Sequence, residues 1–343
     1  MDKKIKVLLK ALLFIAILAV LYTILRKIGF RSIYDNILAA DKVYILLAVI
    51  AVVSANLVWN LKWYFLAREV AKVRFWHLFV VTLAGSFVNT TTPGARVGGE
   101  PVKAYYLSKK YGKEKSKFFA TALADKAASA LSFGILSVLS MLFVIIFMDV
   151  EVKIKIILEI ILVAMFLVVG AGILLRQKIE FKSEHTSALL NRIYYFSLFK
   201  VLRKRFATYS NFEKYTIKKI NNIVNVIKKM VRQKRIVARD LGLAFARWII
   251  LYLGAYFLFK SFGYDVSFFA VVIVLTLSLF AGSFFIAPGG IGFIETIMIS
   301  LYISFGIDPG VAATVAVMDR AIFYFLSLIA GGICLAYLSL KYK

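Results

Sequence analysis

The chain is poor in the residues that carry covalent and metal chemistry. Its single cysteine, Cys334, lies in an apolar run, so no intrachain disulfide can form and the redox compartment leaves no mark on the sequence. The two histidines, His77 and His185, have no ligand partners at metal spacing, which predicts neither a metal site nor another cofactor. With no histidine cluster and no nucleophile beside a base, the pattern argues against an intramembrane enzyme acting on a lipid phosphate. Prolines number four, and acids number 18 against 44 Lys and Arg, a formal net charge of +26. Period-2 alternation of apolar and polar residues is lacking too, which excludes a transmembrane barrel.

What is abundant is apolar side chain, 62% of 343 residues, more than one water-soluble core can hide. Crossing a bilayer takes roughly 20 apolar residues in a helix. Runs of that kind occupy 5–25, 43–66, 118–148, 154–176, 241–260 and 311–339, and two more apolar regions, 76–107 and 266–306, are interrupted by Pro-Gly. The first run follows MDKKIK but is long and has no small-residue cleavage site after it, so a retained helix is expected rather than a signal peptide. Because unsatisfied backbone groups in lipid cost several kcal/mol each, about six full spans and two re-entrant hairpins of an all-α polytopic membrane protein are predicted, a single membrane domain over 1–343.

The positive charge is unevenly placed. Residues 176–240 hold 17 Lys and Arg against Glu180, Glu184, Glu213 and Asp240, a net of +13, half of the total. That is the polybasic flank of a membrane protein, directed at an anionic inner leaflet rather than at nucleic acid. Within 177–240, Ile220, Ile223, Val224, Ile227, Met230 and Val231 recur at helical spacing. Lys218, Lys219, Lys228, Lys229 and Arg232 fill the other faces, so an amphipathic helix is expected, packed on its own protein or lying on headgroups. Basic residues also gather at the amino end (Lys3, Lys4, Lys6), at Arg68, Lys72 and Arg74, from Lys109 to Lys117, and at Lys341 and Lys343. The alternate loops 149–153, 261–265 and 306–310 are short and weakly charged; 26–42 is a modest exception. Both termini are therefore expected on the cytoplasmic side of a cell membrane.

One pattern occurs twice: GSFVNTTTPGARVGGE from Gly85 to Glu100 and GSFFIAPGGIGFIE from Gly282 to Glu295. Pro93 and Pro288 each open a Pro-Gly seven residues before a glutamate. The match continues into the following span, where Ala122–Ala127 around Asp125 and Lys126 corresponds to Ala316–Ala321 around Asp319 and Arg320. A basic-aromatic pair precedes each copy, Lys62-Trp63 and Arg247-Trp248, at different spacing. The first hairpin leaves from the basic side and the second from the weakly charged side, so the units 43–148 and 241–339 are expected to be inverted repeats. Such repeats place a binding site near the bilayer midplane, at interrupted helices.

Glycines at 94, 98, 99, 289, 290 and 292 permit turns and close backbone approach, and Asn89 to Thr92 supply polar groups around the first break. Glu100, Asp125, Glu295 and Asp319 lie in or beside apolar segments, where a charge costs roughly 2.5 to 3.5 kcal/mol on the lenient insertion scale. Arg96, Lys103, Lys126 and Arg320 accompany them. Pairing between the repeat units is expected, and such pairs can open toward a phosphate, which Arg holds bidentately.

At Asn89, Pro93, Arg96, Gly98, Gly99 and Glu100, and again at Pro288, Gly289, Gly290, Gly292 and Glu295, the sequence resembles the flippase-like membrane family named for the transmembrane part of lysylphosphatidylglycerol synthetase. The resemblance runs from about residue 5 to 339. It implies translocation of a polar-headgroup lipid, either a phospholipid or a polyprenyl-phosphate-linked sugar, with membrane lipids as partners. Only Leu340 to Lys343 follow position 339, so the aminoacyl-transferase activity of the synthetase is not implied. Two other expectations fit the same pattern: a proton-coupled secondary transporter of a small solute, with Glu100 or Glu295 carrying the proton, and a non-catalytic membrane partner of a lipid glycosyltransferase. Oligomeric state is not legible.

Overall fold

The structure is a computed structural model that describes residues 22–23, 26, 29–92, 98–148, 152, 155–165, 191, 208–284 and 288–342. Most of the expected span 5–25, most of 166–207, and Pro93 and Arg96 of the first hairpin lie outside these residues. Helices form all the regular structure of the described residues, which makes this an all-α polytopic membrane protein.

In chain order the helices are α1 (Phe30–Ala39), α2 (Lys42–Arg68), α3 (Phe75–Thr91), α4 (Gly99–Tyr111), α5 (Lys115–Phe147), α6 (Tyr209–Arg232), α7 (Lys234–Ser261), α8 (Phe268–Ser283), α9 (Phe293–Ser304), α10 (Pro309–Tyr324) and α11 (Gly331–Lys341). A π-helical segment, Phe325–Ala330, joins α10 to α11, so Pro309–Lys341 runs on as one span. Among the described residues, four helices are long and apolar enough to cross a membrane: α2, α5, α7 and this composite. They match the runs 43–66, 118–148, 241–260 and 311–339. The expected span 154–176 is helical over 155–165, and the rest of it falls outside the described residues.

Local chemistry sets the ends. Asp41 accepts from Val43 N at 2.8 Å to start α2, and Asp308 accepts from Gly310 N at 2.8 Å ahead of α10, whose first residue is Pro309. Gly112, at φ 66°, takes the left-handed position that ends α4. Both interrupted regions are antiparallel helix pairs, α3 with α4 and α8 with α9, in place of single spans.

Chain contacts divide the molecule into two compact units, residues 1–140 with 230–343, and 141–229. In the first, α2 packs along α7. Tyr44 meets Phe257, Ala48 and Val52 flank Gly254, Trp59 lies by Arg247 and Phe65 by Arg239, so rising numbers on one helix meet falling numbers on the other. These are the first helices of the two repeats, and they run antiparallel as inversion requires. Ala48, Ala51, Ala55, Gly254 and Ala255 keep the seam close, since small residues are what let helices approach where lipid supplies no hydrophobic drive. Around the second repeat, Val271, Val274, Ile294, Met298, Tyr302, Ala312 and Val315 form a continuous core. Leu46, Ile50, Phe269, Phe325 and Ile333 point outward, as side chains solvated by lipid do.

In the second unit, α6 begins nine residues earlier than Lys218, the first residue of the expected amphipathic pattern, and shows its two faces plainly. Ile223, Val224 and Ile227 are half-buried, whereas Lys218, Lys228 and Lys229 are exposed.

Candidate functional site

Both hairpins are closed by a glycine of their shared GSF motif. Gly85 of α3 lies against Gly99 and Lys103 of α4, and Gly282 of α8 lies against Ile294 of α9. The second break is a single 3-10 turn, Pro288–Gly290, in which Gly289 and Gly290 have φ of 65° and 72°, values that side chains disfavour. This turn lies against the end of α3: a Cβ placed on Gly289 would come within 3.2 Å of Thr90 Cγ2. Ser86 Oγ of α3 also lies 3.4 Å from Ser327 Oγ in the π segment, where a widened helical turn brings the last span against the first hairpin.

All four carboxylates expected at the site are buried, with 2% to 7% of their surface exposed. Their partners differ. Glu100 Oε1 accepts from Asn89 Nδ2 at 3.3 Å and lies 3.4 Å from Lys126 Nζ, while its Oε2 has no hydrogen-bond partner among the described residues. Asn89 Oδ1 accepts from Gly99 N at 2.7 Å, tying the limbs of the hairpin together. Asp125 Oδ2 accepts from Trp59 Nε1 at 3.1 Å, and its Oδ1 is 2.9 Å from Lys62 Nζ. Asp319 is held by its own neighbour, with Arg320 donating from Nε at 2.9 Å and from a terminal nitrogen at 2.6 Å.

Glu295 has a different local role. Its Oε2 accepts from Gly292 N at 2.7 Å and its Oε1 from Tyr324 OH at 2.9 Å, so it caps α9 three residues after the Gly292 N-cap. Tyr324→Phe is accordingly expected to destabilise the purified protein by about 1 to 3 kcal/mol, since one carboxylate oxygen would be left buried without a donor. Chemical denaturation in detergent measures this.

The expected pairing between repeats is not what joins these acids. The pairs of Glu100, Asp125 and Asp319 described above lie within their own repeats: Arg320 is the chain neighbour of Asp319, while Lys126 of α5 reaches Glu100 of α4 and Lys62 of α2 reaches Asp125 of α5 through packing inside the first repeat. Trp59 touches charged groups of both repeats. Its ring lies 4.4 Å from Lys103 Nζ and 5.2 Å from the Arg247 guanidinium carbon, while its N–H holds Asp125. Trp63 adds a second ring 5.1 Å from Lys103 Nζ, which covers a fully buried ammonium with π faces.

Beside Trp59 a cavity of about 90 Å³ opens between the repeats. The first repeat lines it with Val52, Asn56, Trp59 and Ser86; the second contributes Arg247, Trp248, Leu251, Tyr252, Leu275, Leu279, Asp319, Arg320 and Phe323. Arg247 is sandwiched, 5.2 Å from Trp59 and 5.2 Å from Trp248. Two guanidinium groups, one carboxylate and an indole-rich wall thus face a small gap in the midst of apolar helices. Such a gap can take an anionic or zwitterionic polar group without exposing it to lipid.

Of the expected site residues, Asp319 and Arg320 line this cavity. Lys103 and Asp125 reach it through Trp59, and Glu100 and Lys126 form an adjoining pair. Gly98 and Gly99 open α4, and Gly289 with Gly290 and Gly292 shapes the second break. Trp59, Arg247 and Tyr324 were not among them. The pair Arg247-Trp248 was the signal for Arg247; Trp59, three residues before Lys62-Trp63, carried none of its own. No group of three potential metal ligands occurs among the described residues.

Residues 7–331 match the family described as Lysylphosphatidylglycerol synthase TM region, and the chain belongs to that family. It is similar to the UPF0104 membrane proteins of several archaea. One from Methanothermobacter thermautotrophicus is 29% identical over 304 residues, 87% of this chain and 86% of the relative. Another from Methanocaldococcus jannaschii is 28% identical over 335 residues, 97% and 96% of the two chains. A third from Pyrococcus horikoshii is 27% identical over 312 residues, 89% and 90%.

Proposed function

We propose that this protein moves a polar-headgroup lipid, a phospholipid or a polyprenyl-phosphate-linked sugar, between the leaflets of the cell membrane, without catalysing a covalent reaction. The observation that supports the reading is the charged, aromatic cavity lined by residues of both repeats. A headgroup taken there keeps its acyl chains in the bilayer, while Arg247 and Arg320 offset phosphate charge. Lys103 and Lys126 extend the same positive field. Glu100, with an oxygen open to a new donor, either holds these cations or receives a cationic headgroup.

A water occupies roughly 30 Å³ of liquid, so the cavity has room for a few waters and is too tight for a solvated headgroup. The α2–α7 seam has to part for transport, in the manner of rocking repeats about a fixed site. In this reading both termini and the exposed Lys face of α6 lie on the cytoplasmic side against anionic lipid, not nucleic acid.

The test is movement of fluorescent phospholipid in proteoliposomes. Glu100→Gln and Arg247→Gln are each expected to slow it at least about tenfold, the rate equivalent of ~1.4 kcal/mol and within the worth of one charged hydrogen bond. Wild-type rates in both variants would overturn the assignment. The small cavity also favours a second reading, transport of a small solute; uptake of solute without lipid movement would select it.

A further inference from the structure

Lys62 has one buried carboxylate on each side of the seam. Its ammonium is 1% exposed and has three N–H bonds to give. The three nearest oxygens all belong to α5: Asp125 O at 2.6 Å, Ser129 Oγ at 2.7 Å and Asp125 Oδ1 at 2.9 Å. Across the seam, Asp240 Oδ1 of α7 lies 3.9 Å from the same nitrogen, beyond hydrogen-bond reach. That oxygen has no hydrogen-bond partner among the described residues, and Asp240 is 6% exposed. Every other buried acid at the site has at least one donor: Glu100 has Asn89, Asp125 has Trp59, Glu295 has Gly292 and Tyr324, and Asp319 has Arg320. Among the described residues Asp240 has none: Lys62 gives two of its hydrogens to Asp125 O and Ser129 Oγ of α5 and holds Asp125 Oδ1, the nearer carboxylate oxygen, as an ion pair.

The charged groups facing Asp240 are few. Lys62 approaches from α2, Asp125 lies behind it on α5, and the next cation on its own helix, Arg239, is laid over the Phe65 ring at 3.9 Å. Asp125 has the Trp59 N–H and the nearer approach of Lys62, with the Lys103 ammonium of α4 over the Trp59 ring. Asp240 is left with a cation at 3.9 Å in a nearly dry place, where a single proton removes its uncompensated charge.

We propose that Asp240 is a proton-binding site, and that Lys62 is the latch it controls between the two repeats. The proposal rests on the transport reading and supplies its energy source. With Asp240 ionised, Lys62 is pulled toward α7 and draws the first helices of the repeats together. When a proton from the basic side binds Asp240 Oδ1, the attraction is lost. Lys62 then settles wholly on Asp125 and Ser129, and the seam is free to part. Trp59 is one turn from Lys62, and Arg247 is seven residues from Asp240, roughly 10 Å along the helix, so the seam leads directly into the cavity. Glu100 and Glu295, the sequence's first candidates for a proton carrier, are less suited because each already accepts a hydrogen bond.

The site can be tested without lipid transport. In the purified full chain, infrared difference spectra across the physiological pH range are expected to show a protonated-carboxyl band that titrates. It is lost in the isosteric Asp240→Asn and restored, shifted, in Asp240→Glu. The same band in Asp240→Asn, or no titrating band in wild type, would overturn the proposal. In proteoliposomes with an imposed pH gradient, wild-type lipid movement is expected to change about tenfold on reversing the gradient, as a coupling of ~1.4 kcal/mol requires, and Asp240→Asn to be indifferent to it. A wild type equally indifferent would refute the latch. If no lipid moves under either gradient, the lipid reading falls, and the infrared result alone decides the proton site.

Discussion

Lys62→Met is expected to destabilise the folded protein by about 3–5 kcal/mol, the range found when one partner of a buried ion pair is removed and the other stays behind. The side chains of Lys62 and Asp125 are 0% and 3% exposed, and Asp240 waits on the other side at 3.9 Å. Methionine fills nearly the same volume, so packing is kept and the loss is electrostatic. Asp125 would keep only the Trp59 N–H, and Ser129 Oγ and Asp125 O would lose their donor. Equilibrium denaturation in detergent measures the change. The decisive comparison is the double variant Lys62→Met with Asp125→Asn, which removes both charges and should recover much of the stability. A double variant as unstable as the single one would show that the side chain matters for shape and not for charge.

Gly99→Ala carries the second large effect. A Cβ at Gly99 would fall 2.2 Å from Gly85 O and 2.8 Å from Asn89 Nδ2, and the first of these is backbone that cannot rotate aside. The limbs of the first hairpin must separate. The Asn89 bonds to Gly99 N and Glu100 then break together, for a cost of about 1–3 kcal/mol or more. Lipid movement should fall with it, because Glu100 is carried away from Lys126. Two comparisons isolate the cause. Gly282→Ala meets the Ile294 side chain, which can shift, and should be milder. Gly134→Ala in α5 meets nothing within 4 Å and should be neutral, or more stable by up to ~1 kcal/mol from helix propensity. Equal damage from all three would mean that the hairpin contact is not special.

Much of this was legible beforehand, and the reasons differ from residue to residue. The hairpins were visible because Pro-Gly in an apolar run cannot continue a helix in lipid, and two copies with a glutamate at the same offset fix their correspondence. Inversion followed from the side on which basic residues gather, and the antiparallel α2 and α7 agree with it. Burial of Asp125 and Asp319 followed from the apolar residues around them. Glu295 also caps α9, since a glutamate three residues after Gly292 is a capping arrangement, and capping is a local matter legible in the sequence. Trp59 and Arg247 could not be joined by spacing. They meet only because two antiparallel helices cross in one register, which depends on small residues at Ala48, Ala51 and Gly254. Asp240 had been counted merely as one acid in a basic stretch.

By itself the sequence determined the solvent, the helical class, the two hairpins and the duplicated acids, because each follows from the cost of bare backbone and bare charge in hydrocarbon. Only the tertiary structure decided which cation each acid faces, because that depends on a few ångströms of helix register across the seam. It was there that Lys62 came to lie between Asp125 and Asp240, and a cavity between Trp59 and Arg320.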